Sequence, residues 1–464
     1  MSMPLRRATL VRLALVLTFV GATPLHAQRS ANPYDALVRG FERDAARYGA
    51  RAPEAGRAIL PLLELERHRD KASPGVVQAA LTRAAANRRL LPHIRAYATL
   101  LRGLGERATR PAPAAEETFA SLGYLTDWHI AGAFDNEGKS GLDRVMGPEA
   151  TMNAPYDANA RYDGREREVA WRPYPAELSP FGYVSFDATL RPWVNVCAYA
   201  ETFVERPRAE PLTLWFGAAG AAKVWFNGQE VLSDGAYRNH DYERFSAGVA
   251  ARPGANRILV KVCAGEGNWG FSLRVGDARG NPLVMDMAEG ATEAAPAPAT
   301  PSSLPPVPVA PLAQLEALVD ATDTGRRAAE LRHDLSRFLF WSGAQDEASS
   351  RGRELAEAAA ELDPRPAHLL YASEVAETRA ERMRFVAQAE ERSPRDPAVR
   401  LARIQLLASS PDPGEALREL LRTPLSGRHG VAGDWLLATL YERRDLPQAA
   451  LAVIDRNIAR TGGS

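Results

Sequence analysis

The chain has 464 residues, with 57 Lys+Arg against 57 Asp+Glu and a formal net charge of zero. That length allows about three domains, and the balanced charge excludes the broad basic face of a general nucleic-acid binder. Two cysteines exclude a disulfide-dense mini-fold and a cysteine-rich zinc module.

Residues 1–27 read as a secretory signal. Arg6, Arg7 and Arg12 form a positive head, and Leu13 to Ala22 is an apolar run of about ten residues, too short to span a bilayer. Leu25-His26-Ala27 leaves a small residue before a cut at Ala27–Gln28. No later stretch reaches about 18 apolar residues, so no transmembrane segment is expected in the mature chain. The expected location is a bacterial periplasm or the extracellular space, where disulfides persist.

Residues 32–110 predict a helical domain. Tyr34, Leu37, Val38 and Phe41 recur at i, i+3, i+4, i+7, the stripe of an amphipathic helix. Ala58, Leu60, Leu62, Leu63 and Leu65 continue the apolar pattern, and Leu90, Leu91, Ile94, Ala96, Leu100, Leu101 and Leu104 line a further helix. Pro61, Ser73-Pro74-Gly75 and Pro92 punctuate the block.

Residues 116–287 predict a β-sandwich. Six of the eight tryptophans fall here, among short runs bounded by Gly, Asn, Asp and Pro turns. The runs are Val194–Val204, then Leu212/Leu214/Phe216, Val224/Phe226, Ile258/Val260/Val262 and Phe271/Leu273/Val275. Asn227-Gly228 is a hairpin dipeptide. Residues 288–311 are Pro/Ala-rich and aperiodic, the composition of an extended linker.

Residues 312–464 predict a second helical block. Asp363-Pro364 and Asp396-Pro397 lie 33 residues apart, and small residues recur at Gly352, Ala356, Ala359, Ala372 and Ala376. In the last unit Leu437, Ala438, Tyr441, Ala450 and Ile454 repeat the scheme. This pattern resembles degenerate tetratricopeptide repeats over about Leu331 to Arg460, which implies an α-solenoid.

The β block carries Asp127–Asn136, Val169-Ala170-Trp171, Lys223–Gly228 and Gly254–Val262. Together these resemble the galactose-binding-like jelly roll of exported glycosidases and bacterial surface proteins. The order of parts resembles the N-terminal half of myxobacterial-type proteins that continue into a transglutaminase-like domain. Such a domain needs a Cys nucleophile, and no Cys follows Cys263. The resemblance therefore carries architecture and not catalysis, and the sequence reads as a shorter relative or as a cut coding sequence.

Candidate chemistry is sparse. Cys197 and Cys263 sit in two predicted strands of one domain; they pair if the strands are neighbours and are buried thiols if not. The histidines are scattered, and no metal-ligand spacing, nucleophile elbow or phosphate loop occurs, so neither a metal nor a cofactor is expected. The acidic stretch Asp135–Asp143 reads as a solvated loop in preference to a calcium site. Trp225, Asn227, Tyr237, Arg238 and Asp241 combine aromatic faces with polar groups suited to a sugar. The same residues also suit an interface with neighbouring helices. The expected function is a non-enzymatic scaffold whose repeats bind a protein or peptide. The alternatives are glycan binding by the jelly roll, or a transglutaminase-like protein without its catalytic domain.

Overall fold

The computed structural model describes residues 32–49, 54–109, 112–178, 181–288, 305–343 and 346–461. The expected signal, residues 1–27, lies outside them, as do positions 289–304 of the expected linker.

Five helices open the described chain. Helix α1 (Pro33–Arg47) is capped by the Asn32 side chain, which accepts from the Tyr34 amide, and it buries Tyr34, Val38 and Phe41. A 3-10 turn, Ala55–Ala58, leads into α2 (Ile59–Arg67). Pro61, expected as punctuation, lies buried in the first turn of α2, where a missing amide costs no intrahelical bond. Helices α3 (Pro74–Ala86), α4 (Pro92–Thr109) and α5 (Ala112–Ala120) follow.

The middle of the chain forms antiparallel sheets. Its strands are β1 (His129–Asp135), β2 (Arg161–Asp163), β3 (Glu168–Ala170), β4 (Arg172–Pro173), β5 (Tyr183–Ser185), β6 (Val196–Arg206) and β7 (Glu210–Ala219). Then come β8 (Ala221–Phe226), β9 (Gln229–Asp234), β10 (Phe245–Ala251), β11 (Gly254–Ala264), β12 (Gly270–Asp277) and β13 (Asp286–Met287). The larger sheet has the order β4-β1-β6-β11-β8-β9, with β13 added to β6; the smaller has the order β10-β7-β12-β5. Strands β2 and β3 form a separate ribbon, and short helices α6 (Gly147–Ala150) and α7 (Phe186–Thr189) interrupt the strands.

Strand alternation places the sandwich core. Val196, Ala198 and Ala200 of β6, Ile258, Val260 and Val262 of β11, and Val224 and Phe226 of β8 face Leu212, Leu214 and Phe216 of β7 and Phe271, Leu273 and Val275 of β12. The hairpin between β8 and β9 turns at Asn227 (φ 50°) and Gly228 (φ 79°), the positive angles that a two-residue turn of this hand requires. Strands β6 and β11 are neighbours with Cys197 opposite Cys263, and the two are joined by a disulfide with Cα atoms 4.0 Å apart.

Nine helices close the described chain: α8 (Pro311–Asp320), α9 (Gly325–Trp341), α10 (Asp346–Leu362), α11 (Pro366–Val375), α12 (Arg379–Arg392), α13 (Pro397–Ala408), α14 (Gly414–Arg422), α15 (Gly427–Glu442) and α16 (Pro447–Thr461). Prolines start α11, α13 and α16, where their fixed φ favours the first turn. Consecutive helices from α8 to α16 touch. Helices α9 and α10 cross closely at Gly352, where an added Cβ would lie 2.8 Å from the Phe340 ring.

The two helical blocks share a core. Leu60, Leu63, Leu81, Ile94 and Leu100 cluster with Leu312, Leu315, Leu331, Leu335 and Phe338, and Val431 of α15 joins them. Thus the segment expected as a separate domain, 32–110, is completed by the first helices of the segment expected as an independent array, 312–464. Ion pairs tie the junction: Arg57 to Asp334, Arg337 to Glu64, Arg327 to Glu54, and Arg67 to Glu374 at 2.9 Å. Helix α1 also meets α15, which bends the helical array back onto its beginning. The described end of the expected linker is packed as well. The Ser246 hydroxyl donates to the Pro308 carbonyl at 2.9 Å and accepts from the Ala310 amide at 3.0 Å.

Two outcomes follow. Arg57 and Asp334 are both buried, so Arg57→Ala is expected to cost about 3–5 kcal/mol in urea unfolding, and the paired apolar change Arg57→Met/Asp334→Leu much less. Replacing both cysteines by alanine opens a cross-link spanning 66 residues and is expected to cost about 4 kcal/mol by loop entropy, read in the same assay.

Candidate binding sites

The outward side of the larger sheet is not solvent. Residues 142–171 form a third layer over it, in which Leu142, Met146, Tyr162 and Trp171 cover Cys197, Tyr199, Trp225 and Leu259 together with Phe134 of β1. Two cations at outward positions of β11 hold this layer. Lys261 is fully buried and donates to the carbonyls of Leu142 and Arg144 at 3.0 and 2.8 Å and to Glu149 at 2.8 Å. Arg257 pairs with the buried Glu201 and donates to the carbonyls of Met152 and Ala154 at 2.6 and 3.1 Å. Burial pulls the Lys261 amine down, and Glu149 opposes that pull.

This layer decides the fate of the residues singled out for a sugar. Trp225 is buried beneath it. Asn227 spends its amide on Asn256 Oδ1 at 2.9 Å and its oxygen on the Arg257 amide at 2.9 Å, which pins the hairpin. Tyr237 packs against the same layer; its hydroxyl accepts from Asn136 at 2.9 Å, and Lys139 lies 4.5 Å from its ring centre. Arg238 forms a fork on Asp234 at 2.9 and 3.1 Å. Asp241 lies elsewhere, beside a narrow gap with His93, Tyr97 and Phe338 where the sandwich meets the helices. The five residues do not converge on one surface. In the Asp135–Asp143 stretch, Asn136 is fully buried and bonded to the Ala264 carbonyl and the Gly141 amide, each at 2.9 Å.

The outward side of the smaller sheet is covered by helices. His93 of α4 stacks on Trp215 with ring centres 4.6 Å apart. Arg274, fully buried, forms a two-pronged pair with Glu243 at 2.6 and 2.7 Å, and Tyr124 donates to the same carboxylate at 3.1 Å. Burial and the nearby Arg274 lower the His93 pKa to about 3. Burial and Arg244 lower that of His240 to about 3, and burial with Lys71 and Arg67 lowers that of His68 to about 4. Burial raises Asp241 to about 7 against the pull of Arg244.

Two of the open sites among the described residues lie on the helices. The first is a groove of about 270 Å³ between α10, α11 and α12. Ala372, Val375, Ala376 and Phe385 form its floor, and Glu354, Glu357, Glu377 and Glu381 edge it against a single cation, Arg353. The second is a cleft of about 490 Å³ at the helical junction. Arg47 and Tyr48 close α1 beside it, Glu54 and Arg57 come from the turn before α2, and Arg327, Glu330, His333, Asp334 and Arg337 come from α9, with Arg365 ahead of α11. No sequence motif announces this cleft, because its two sides come from opposite ends of the chain. Among the described residues, no group of three or more His, Cys, Asp or Glu side chains is placed to hold a metal ion, and no helix is long and apolar enough to cross a membrane.

No protein-family model matches the chain, and no curated protein matches it. Among solved structures, it is similar to an anti-sigma factor domain-containing protein from Clostridium clariflavum, at 11% identity and a TM-score of 0.21, over 38% of this chain and 49% of that one. It is also similar to the β-glucosidase from Kluyveromyces marxianus in complex with glucose, at 9% identity and a TM-score of 0.21, over 51% of this chain and 23% of that one. The chain thus spans less than half the length of these structures.

The buried histidines set a pH dependence. Below their ordinary pKa of 6.5 the unfolded chain protonates these imidazoles while the folded chain does not, so stability falls as pH drops toward 4. Asp241 acts in the opposite sense, because the folded carboxyl keeps its proton above the ordinary value of 3.8, but one carboxyl is outweighed by three imidazoles. The urea midpoint is expected to be lower at pH 5 than at pH 7. His93→Leu is expected to remove about one proton from that slope; an unchanged slope would contradict the burial of a neutral His93.

Proposed function

We propose that the chain is an exported, non-catalytic binding protein. Its C-terminal helices act as a tetratricopeptide-like solenoid that holds a peptide or protein partner, and its sandwich is a galactose-binding-like jelly roll that serves as scaffold. The observation that carries this reading is the groove between α10, α11 and α12. Its floor of Ala372, Val375, Ala376 and Phe385 is apolar, with Val375 its partly exposed member, and its lining of four glutamates against one arginine sets the sign. The preferred partner is therefore a cationic segment with apolar side chains. Pro397 at the start of α13, Pro364 just ahead of α11 and the small residues at helix crossings support the repeat reading. Two facing antiparallel sheets around one core support the jelly roll. The Cys197–Cys263 bond supports export, since such bonds persist in oxidising compartments.

The test uses the full mature chain, because the 312–464 segment alone would expose the core it shares with α1–α5. Labelled peptides of about ten residues, cationic and apolar or acidic and apolar, are titrated by fluorescence anisotropy. The cationic series is expected to bind about tenfold tighter or better, and Glu354→Arg/Glu357→Arg to remove that preference. Binding of neither series, or a preference untouched by the charge reversal, would refute the reading.

A further inference from the structure

Where α5 meets the sandwich, a further groove of about 400 Å³ opens. Helix α5 and the segments 123–127 and 284–287 wall it, with Ala176 and Gly182. These walls are held from behind. The Leu125 amide donates to the Leu273 carbonyl at 2.9 Å, and the Asp127 carbonyl accepts from the Thr202 hydroxyl at 2.6 Å. At Gly123 (φ 75°) the two segments meet so closely that an added Cβ would lie 2.2 Å from the Leu283 carbonyl oxygen. The groove is therefore formed before any ligand arrives.

Its accessible lining is apolar. Val284, at 71%, is the most exposed large apolar side chain among the described residues. Ala120 and Ala176 are exposed beside it, and Tyr124 and Met287 are half-buried. The charge around this lining has one sign. Glu116 and Asp127 line the groove; both are exposed, and neither side chain makes an ion pair or hydrogen bond among the described residues. Glu117, Glu177 and Asp286, each next in the chain to a lining residue, are exposed acids as well. No Lys, Arg or His lines the groove. Behind its walls, Arg107 stacks 4.1 Å from the centre of the Phe181 ring, and Arg274 is held by Glu243. Counted with Arg107, the five carboxylates still leave an acidic surface.

We propose that this groove binds a small apolar cation, an ammonium carried on an aliphatic or aromatic body. The body covers Val284, Ala120 and Ala176, which removes apolar area from water, and the ammonium is met by the unpaired carboxylates of Glu116 and Asp127. A volume of about 400 Å³ suits a small ligand. Met285 and Met287 supply flexible, polarisable lining that adapts to bodies of different shape. The same carboxylates repel an anion of equal apolar area, so charge sets the choice among ligands. The site shares no residue with the α10–α12 groove.

The experiment is calorimetric titration of the full mature chain with hexylammonium, hexanol and hexanoate, followed by NMR of the methionine methyl groups. Hexylammonium is expected to bind one to one at millimolar strength or tighter, about tenfold tighter than hexanol, with hexanoate weaker still. It is expected to shift the methyl signals of Met285 and Met287 and to leave those of Met146 and Met152 in place. Glu116→Gln/Asp127→Asn is expected to bring hexylammonium down to hexanol, and Val284→Ser to weaken both. All three side chains are exposed, so the variants keep the thermal midpoint of the unliganded chain. Absent hexylammonium binding, hexanoate binding as tightly, a preference that survives the double variant, or unmoved Met285 and Met287 signals would each overturn the proposal. Binding abolished by Glu354→Arg/Glu357→Arg would overturn it too, by assigning the cation to the α10–α12 groove.

Discussion

The pairing of charges that strand alternation buries on the outer sides of the sheets organises this molecule. A strand sends every second residue away from the core, and in β11 and β12 those positions hold Arg257, Lys261 and Arg274, all buried. A buried cation is tolerable only with a partner and satisfied donors. Each one therefore specifies what must lie above its sheet. Lys261 and Arg257 bind the carbonyls of Leu142, Arg144, Met152 and Ala154, which fixes the third layer. Arg274 fixes Glu243, and with it the loop on which the N-terminal helices rest. With both outer sides covered, the groove and the cleft described above lie on the helices.

The same logic holds at the helical junction, with a different outcome. Arg57 and Asp334 sit between blocks that are far apart in the chain and make one body of them. Neither block buries its apolar stripe alone: α2 needs α9, and α1 needs α15. The sandwich between them in sequence becomes a lateral support, held by the His93–Trp215 stack and by the extended Pro305–Ala310 segment along β10. The α10–α12 groove is edged mostly by acidic side chains, Glu354, Glu357, Glu377 and Glu381 against Arg353, a local excess invisible in a net charge of zero.

Much of the architecture was legible. The i, i+3, i+4, i+7 stripe of Tyr34, Leu37, Val38 and Phe41 marks α1, the alternation of Ile258, Val260 and Val262 marks β11, and Asn227-Gly228 marks the β8–β9 hairpin, because periodicity and turn chemistry are local. Less legible was what each outward residue meets. Trp225 is identifiable as pointing away from Val224 and Phe226, yet a groove, solvent or a covering layer satisfies that alternation equally well. Asn227 and Arg238 look like free polar groups until Asn256 and Asp234 are placed beside them.

The sequence by itself determined the element types, the order of helical, β and helical segments, and the short list of residues able to carry chemistry. Each of these rests on neighbours within a few positions along the chain. Only the tertiary structure decided that the two helical segments share a core, that Cys197 faces Cys263, and that Arg47 stands with Arg327 and Arg365 around one cleft. Such contacts join residues distant in the chain, and their energies depend on burial and on which partner arrives, quantities that no local pattern encodes.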